Sequence, residues 1–145
     1  MMLVHDEIKN RLGNKVINWH EHLPRRIYIS IKPQDLKEIV ELLFRELKLR
    51  FATASGQDTP EGLEILYHFS FDSTGEMISL RVLLEDKKKP EIESLAPMFV
   101  GAEWIEREMW ELLGINFKGH PNLKHLLLVD EWPEGKFPLR HKNEP

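Results

Sequence analysis

Cysteine is absent from the 145 residues of this chain. That one absence removes disulfides, thiolate metal sites, iron-sulfur ligation and thiol nucleophiles together. Long apolar runs are missing as well: the longest, such as Leu126 to Val129, fall far short of the ~20 residues needed to cross a bilayer. The N-terminus has no apolar signal-peptide core, so the chain is expected to stay inside the cell. A basic surface is lacking too. With 20 Lys and Arg against 24 Asp and Glu the formal net charge is -4, which argues against nonspecific nucleic-acid binding, because covering phosphates requires an excess of cations. The basic run Lys87 to Lys89 reads as a solvated loop ahead of Pro90. There is no internal repeat, Gly-Xaa-Ser-Xaa-Gly elbow, HExxH helix or phosphate-cradling glycine loop.

What is present is an ordinary globular composition, 41% hydrophobic and 30% charged, in a chain long enough to bury one core. Leu3, Val4, Ile8 and Leu12 recur at helical spacing before Gly13, predicting a first helix. Val16 to His22 and Arg26 to Ile31 read as strands, the second alternating Ile27, Ile29 and Ile31. Pro33 opens a second helix whose apolar face is Leu36, Ile39, Val40, Leu43 and Leu47. Arg50 to Ser55, Leu63 to Phe71 and Met77 to Glu85 complete five strands, the last two flanking a turn-rich Asp72 to Gly75. This order predicts an α+β two-layer sandwich, a five-stranded mixed sheet with helices on one face. The expected division is a single domain over 1–129 and an extended C-terminal arm over 130–145.

Pro97 and Gly114 bracket a last helix, in which Met98, Ala102, Ile105, Met109 and Leu112 form one stripe toward the sheet. Arg107 then points away from that stripe with Glu103 and Glu111 one turn to either side, an outward ladder of ion pairs worth ~0.2 to 0.5 kcal/mol each. Val100, Trp104 and Trp110 share that outward half. Two indoles beside an arginine are characteristic of an interface centre, and burial under the same chain's tail is the competing reading. Glu106 and Glu108 diverge too far to act as a paired acid and base. They are expected to lock the tail, through the amides at Gly119-His120 or through Arg140. Gly119-His120-Pro121 reads as a tight turn, with His120 donating to a backbone carbonyl more readily than serving a metal. His20 and His22 share a strand face but have no third ligand at zinc spacing. Beyond residue 130, Trp132, Phe137, Pro138, Leu139 and Arg140 stand as isolated anchors, an arm laid on a neighbour.

The block from Glu106 to Leu127 resembles a family signature. Glu106, Arg107, Glu108, Glu111, Leu112, Leu113, His120, Lys124, Leu126 and Leu127 match that of the C-type subunit of complex I, the NADH-quinone oxidoreductase (respiratory-chain NADH dehydrogenase). Membrane-bound energy-converting hydrogenases and formate hydrogenlyases share this family. Gly114, Gly119 and Pro121 lie inside the same block, and Trp132 with Pro138-Leu139-Arg140 resembles the family's tail. Glu111 stands where the family usually has Asp, and Lys124-His125 where it has two arginines.

The resemblance implies a structural subunit with no cofactor and no active site of its own. It would pack on a large catalytic subunit and a small iron-sulfur subunit, on the cytoplasmic face of a membrane it touches only through its complex. The interface would use Trp104, Arg107, Trp110, Trp132, Phe137, Pro138, Leu139 and Arg140. The hydrogenase branch of the family is the alternative. A metal-dependent hydrolase using His120 with Glu106 or Glu108, and a free-standing adaptor, are readings from other classes.

Overall fold

The computed structural model describes residues 3–125, 128 and 132–141. Its sheet has five strands in the order β1-β2-β5-β4-β3: β1 (Asn18–Leu23), β2 (Arg26–Ile31), β3 (Arg50–Thr59), β4 (Gly62–Phe71) and β5 (Glu76–Leu84). The expected α+β class with a five-stranded mixed sheet is observed. The chain divides into two compact units, residues 1–53 with 66–82 and residues 54–65 with 83–145. The boundary expected after residue 129 falls inside the second unit.

In the first unit β1 and β2 form an antiparallel hairpin with a bulge near Leu23. β2 runs parallel to β5, with Ile27 opposite Ile78, Ile29 opposite Leu80 and Ile31 opposite Val82. All six side chains are buried. The period-two alternation read from the sequence therefore marks one continuous apolar face. Two helices belong to this unit, α1 (Val4–Leu12) and α2 (Leu36–Glu41).

The helix expected from Pro33 is assembled from three pieces: a 3-10 turn at Pro33–Asp35, α2, and a π turn at Leu42–Glu46. Lys48 then takes a left-handed φ of 63° to leave it. α1 has no side-chain cap of its own. The carboxylate of Glu76 supplies one instead, accepting the amides of Val4 at 2.8 Å and His5 at 3.0 Å, the Nδ1 of His5 at 2.7 Å and the hydroxyl of Thr74 at 2.5 Å. Burial alone would raise the Glu76 carboxyl, but these donors outweigh it and hold it below its ordinary value.

The second unit is organised around α3 (Val100–Leu113). Gly56 of β3 packs against it so closely that a Cβ there would sit 2.8 Å from Leu113 Cδ1 and 3.2 Å from the sulfur of Met109. β6 (Glu91–Glu93) precedes α3 and β7 (Asn116–Lys118) follows it, pairing in parallel with Ile92 opposite Phe117. Both of those side chains are buried. The sequence pattern does not announce this small sheet, because each strand contributes a single apolar residue.

Candidate functional site

α3 starts later than Pro97 suggests. Pro97 lies in a turn closed by the amides of Met98 and Phe99 on the carbonyl of Leu95, and the helix runs from Val100. Glu106, 1% exposed, reaches back to this turn. Its carboxylate accepts the hydroxyl of Ser94 at 2.5 Å and the amide of Leu95 at 2.7 Å. These groups replace the expected partners at Gly119-His120 and Arg140. Burial raises the Glu106 carboxyl, and the Leu95 amide, the Ser94 hydroxyl and nearby His120 only partly offset it.

The outward charge ladder is not observed. Arg107 and Glu111 are 6% and 3% exposed, because the chain after Pro121 folds back over that side of the helix. Arg107 donates through Nε to the carbonyl of Lys124 at 3.1 Å and through Nη2 to that of His125 at 2.9 Å. Glu111 accepts the amide of Leu128 at 2.7 Å and lies 3.3 Å from Nδ1 of His125. A buried hydrogen bond to a charged group contributes ~1.5 to 3 kcal/mol, several times an exposed i,i+4 pair. A helical wheel cannot find this, since it describes the helix without what lies on it. Leu126 and Leu127 of the signature lie outside the described residues.

The turn at Gly119, with φ 83°, presents His120 to the carbonyl of Glu103, 2.9 Å from its Nε2, and the amide of Asn122 lies 2.9 Å from Nδ1. The Asn122 amide can only donate and the Glu103 carbonyl can only accept. Both ring nitrogens are thereby engaged, which leaves no lone pair for a metal or for general base work with Glu106 or Glu108. Pro121 and Lys124 are exposed. The imidazoles of His20 and His22 lie 6.0 Å apart in the first unit, and among the described residues no group of three or more ligand-type side chains is placed to hold a metal.

The far end of α3 is closed by the last described segment. Gly114 takes a left-handed φ of 79° and its amide returns to Trp110. The carbonyl of Leu112 accepts the amide of Leu139 at 3.0 Å, and that of Leu113 accepts Nε of Arg140 at 2.7 Å. Carbonyls that any helix leaves open at its C-terminus are thus satisfied by a strap of the same chain. Phe137 lies on Gly114, where a Cβ would come within 2.6 Å of the ring. Arg140 also donates to the carbonyl of Lys87 at 2.9 Å, and its burial lowers its basicity against the pull of Asp58.

Asp58, which the sequence reading missed, holds the end of the strap. It accepts the amide of His141 at 2.9 Å and pairs with Nζ of Lys87 at 2.6 Å. Burial would raise its carboxyl, but Lys87 and the His141 amide outweigh it and hold it low. Lys87 is therefore not part of a fully solvated loop. The depression of about 730 Å³ beside this clasp is lined by Asp58, Lys87, Arg140 and His141 among others. These four bond one another, so the depression is framework.

The proposed interface residues accordingly fall into three sets. Arg107, Phe137 and Arg140 are engaged within the chain, while Trp110 and Trp132 are half-buried walls of a cleft of about 260 Å³. Trp132 donates its Nε1 to the carbonyl of Lys136 at 2.8 Å. Trp104, Pro138 and Leu139 are exposed, Trp104 by 62%. Glu108 is exposed as well.

The sequence pattern of the family described as respiratory-chain NADH dehydrogenase, 30 Kd subunit, matches residues 29–144. The C/D subunit of the NADH-quinone oxidoreductase of Bacteroides thetaiotaomicron is 36% identical over 66% of this chain and 18% of its own length. The C subunit of the F(420)H(2) dehydrogenase of Methanosarcina mazei is 37% identical over 83% of this chain and 77% of its own. This chain therefore spans under a fifth of the first relative and over three quarters of the second. A chain from the membrane-bound sulfane sulfur reductase, an archaeal respiratory membrane complex, superposes with a TM-score of 0.82 over 94% of this chain and 81% of its own, at 18% identity. That likeness is one of fold.

Proposed function

The chain belongs to the family of the respiratory-chain NADH dehydrogenase 30 Kd subunit, and from that premise we propose that it is a structural subunit of a complex I-like oxidoreductase or a related archaeal membrane complex. Its partners in this reading are a large catalytic subunit and a small iron-sulfur subunit, and electrons pass through those partners. The bacterial relative that carries the double letter C/D supports the choice of partner, since a polypeptide so named unites a C-type and a D-type part. No described helix is long and apolar enough to cross a membrane, which fits attachment through companion subunits on the cytoplasmic face.

The observation that carries the reading is the state of α3. Three of its charged signature residues, Glu106, Arg107 and Glu111, are spent on backbone and hydroxyl groups of the turn at Ser94-Leu95 and of the segment after Pro121, which is framework work, while Val100 and Trp104 stand 86% and 62% exposed. A large exposed indole next to an exposed valine is the composition of an interface centre. The strap, with Leu139 53% exposed and Trp132 at its start, is proposed as a second contact. The remainder of the expected arm, 142–145, lies outside the described residues. Purification of the tagged chain from its native membrane, followed by identification of what accompanies it, tests the proposal. Recovery of a hydrogenase-like large subunit and a cluster-bearing small subunit is expected. Recovery of the chain alone under conditions that keep other membrane complexes intact would contradict it.

A further inference from the structure

We propose that Val100, Gly101, Trp104 and Glu108 form a docking face for an α-helix of the neighbouring D-type subunit, which crosses α3 at Gly101 and sets a basic side chain opposite Glu108. This deepens, and rests on, the reading of the chain as a subunit of a larger oxidoreductase. The four positions fall on one side of α3, and all four are exposed.

Gly101 is the informative member. Gly101 stands at the second position of α3, in its first turn, where this chain would have room for any side chain. Its φ is not left-handed, and a Cβ built on it would meet nothing within 4 Å. Neither backbone conformation nor packing inside this chain calls for it. What a missing Cβ provides at such a place is close approach by a backbone from outside. Between Val100 and Trp104 it leaves a notch in the side-chain ridge, the relief into which a crossing helix packs. A strand seated there would bring unpaired amides and carbonyls that the side of a helix cannot satisfy.

Charge supplies the second argument. Glu106 and Glu111 on the same helix are buried and bonded, whereas Glu108 makes no hydrogen bond or ion pair among the described residues. An exposed carboxylate at the end of an apolar patch is complementary to a lysine or arginine of the incoming helix. Trp104 is ordered in advance: its ring lies 5.7 Å from the guanidinium of Arg107, itself fixed by two carbonyls, so little side-chain freedom is lost on docking.

The test uses the full chain co-expressed with the D-type subunit of the same genome, the complex being challenged by labelled unaltered chain and by unlabelled variants. Trp104→Ala and Gly101→Leu are expected to compete ~30-fold less well, the scale of an interface hot spot. Gly101→Ala is expected to melt at the same or a higher temperature when alone and yet to compete less well, opposite signs that a purely internal role would not produce. Glu108→Gln is expected to lose part of the salt dependence of competition. If the unaltered chain forms the complex and all four variants compete within twofold of it, this face is wrong and the subunit reading stands. If the unaltered chain forms no complex with the D-type subunit, the subunit reading falls and this face with it.

Discussion

Two neighbouring stretches of the outward face of α3 are built from the same kinds of residue and do opposite work. Toward its C-terminal end Arg107 and Glu111 are buried by the chain that follows Pro121, and their polar atoms meet backbone carbonyls and an amide. Toward its N-terminal end and on the adjoining flank, Val100, Gly101, Trp104 and Glu108 are bare. A tryptophan and a charged residue therefore mean framework where the chain's own backbone uses them, and an interface where it does not. The distinction lies in which polar groups are already answered.

The largest effect that separates the two stretches is expected from Arg107→Ala. Two carbonyls inside the fold lose a charged donor, so unfolding in urea should show a loss of ~3 kcal/mol. A change below ~0.5 kcal/mol would mean that the covered side is not framework. Arg140→Ala comes next, at ~2 kcal/mol, because it removes the bonds to the carbonyls of Leu113 and Lys87 and uncovers the helix end. Limited proteolysis should then cut after residue 132 sooner than in the unaltered chain. Retained resistance would show that Asp58 and Phe137 hold the strap without it.

Smaller effects come from pH, with opposite signs in the two units. The Glu106 carboxyl is raised in the folded chain, so its contribution is greatest below its unfolded pKa and is lost as pH rises through its folded value. Glu76 is lowered, so its contribution is present above its unfolded pKa and is lost as pH falls through its folded value. Melting temperature against pH should therefore fall less toward neutrality in Glu106→Gln, and fall less on the acid side in Glu76→Gln. Identical profiles for both variants and the unaltered chain would contradict these assignments. Smallest of all is Trp104→Ala, expected to leave the stability of the isolated chain within ~0.5 kcal/mol because the indole is exposed.

The same contrast decides what could be read from the sequence. β2, β4 and β5 were legible because alternation is local, and each apolar run carries its own period. Gly114 ended α3 as expected, since a left-handed cap is a one-residue signal. β6 and β7 were not legible, with Ile92 and Phe117 alone on three-residue strands. The helical wheel left Arg107 facing solvent, yet the segment that covers it reaches it by contacts 17 and 18 positions away. Asp58 and His141 meet across 83 positions, a pairing no local pattern contains. Glu76 is likewise a cap supplied from far along the chain, so α1 shows no capping residue of its own.

Oxidative footprinting of the tryptophans, free and in the purified native complex, tests the central claim most directly. In the free chain Trp104 should be the most readily oxidised of Trp104, Trp110 and Trp132, and in the complex it should be the most strongly shielded, with Trp110 changing least. Equal oxidation of Trp104 in both states would contradict the account, because the bare side of α3 would then remain bare in the assembly.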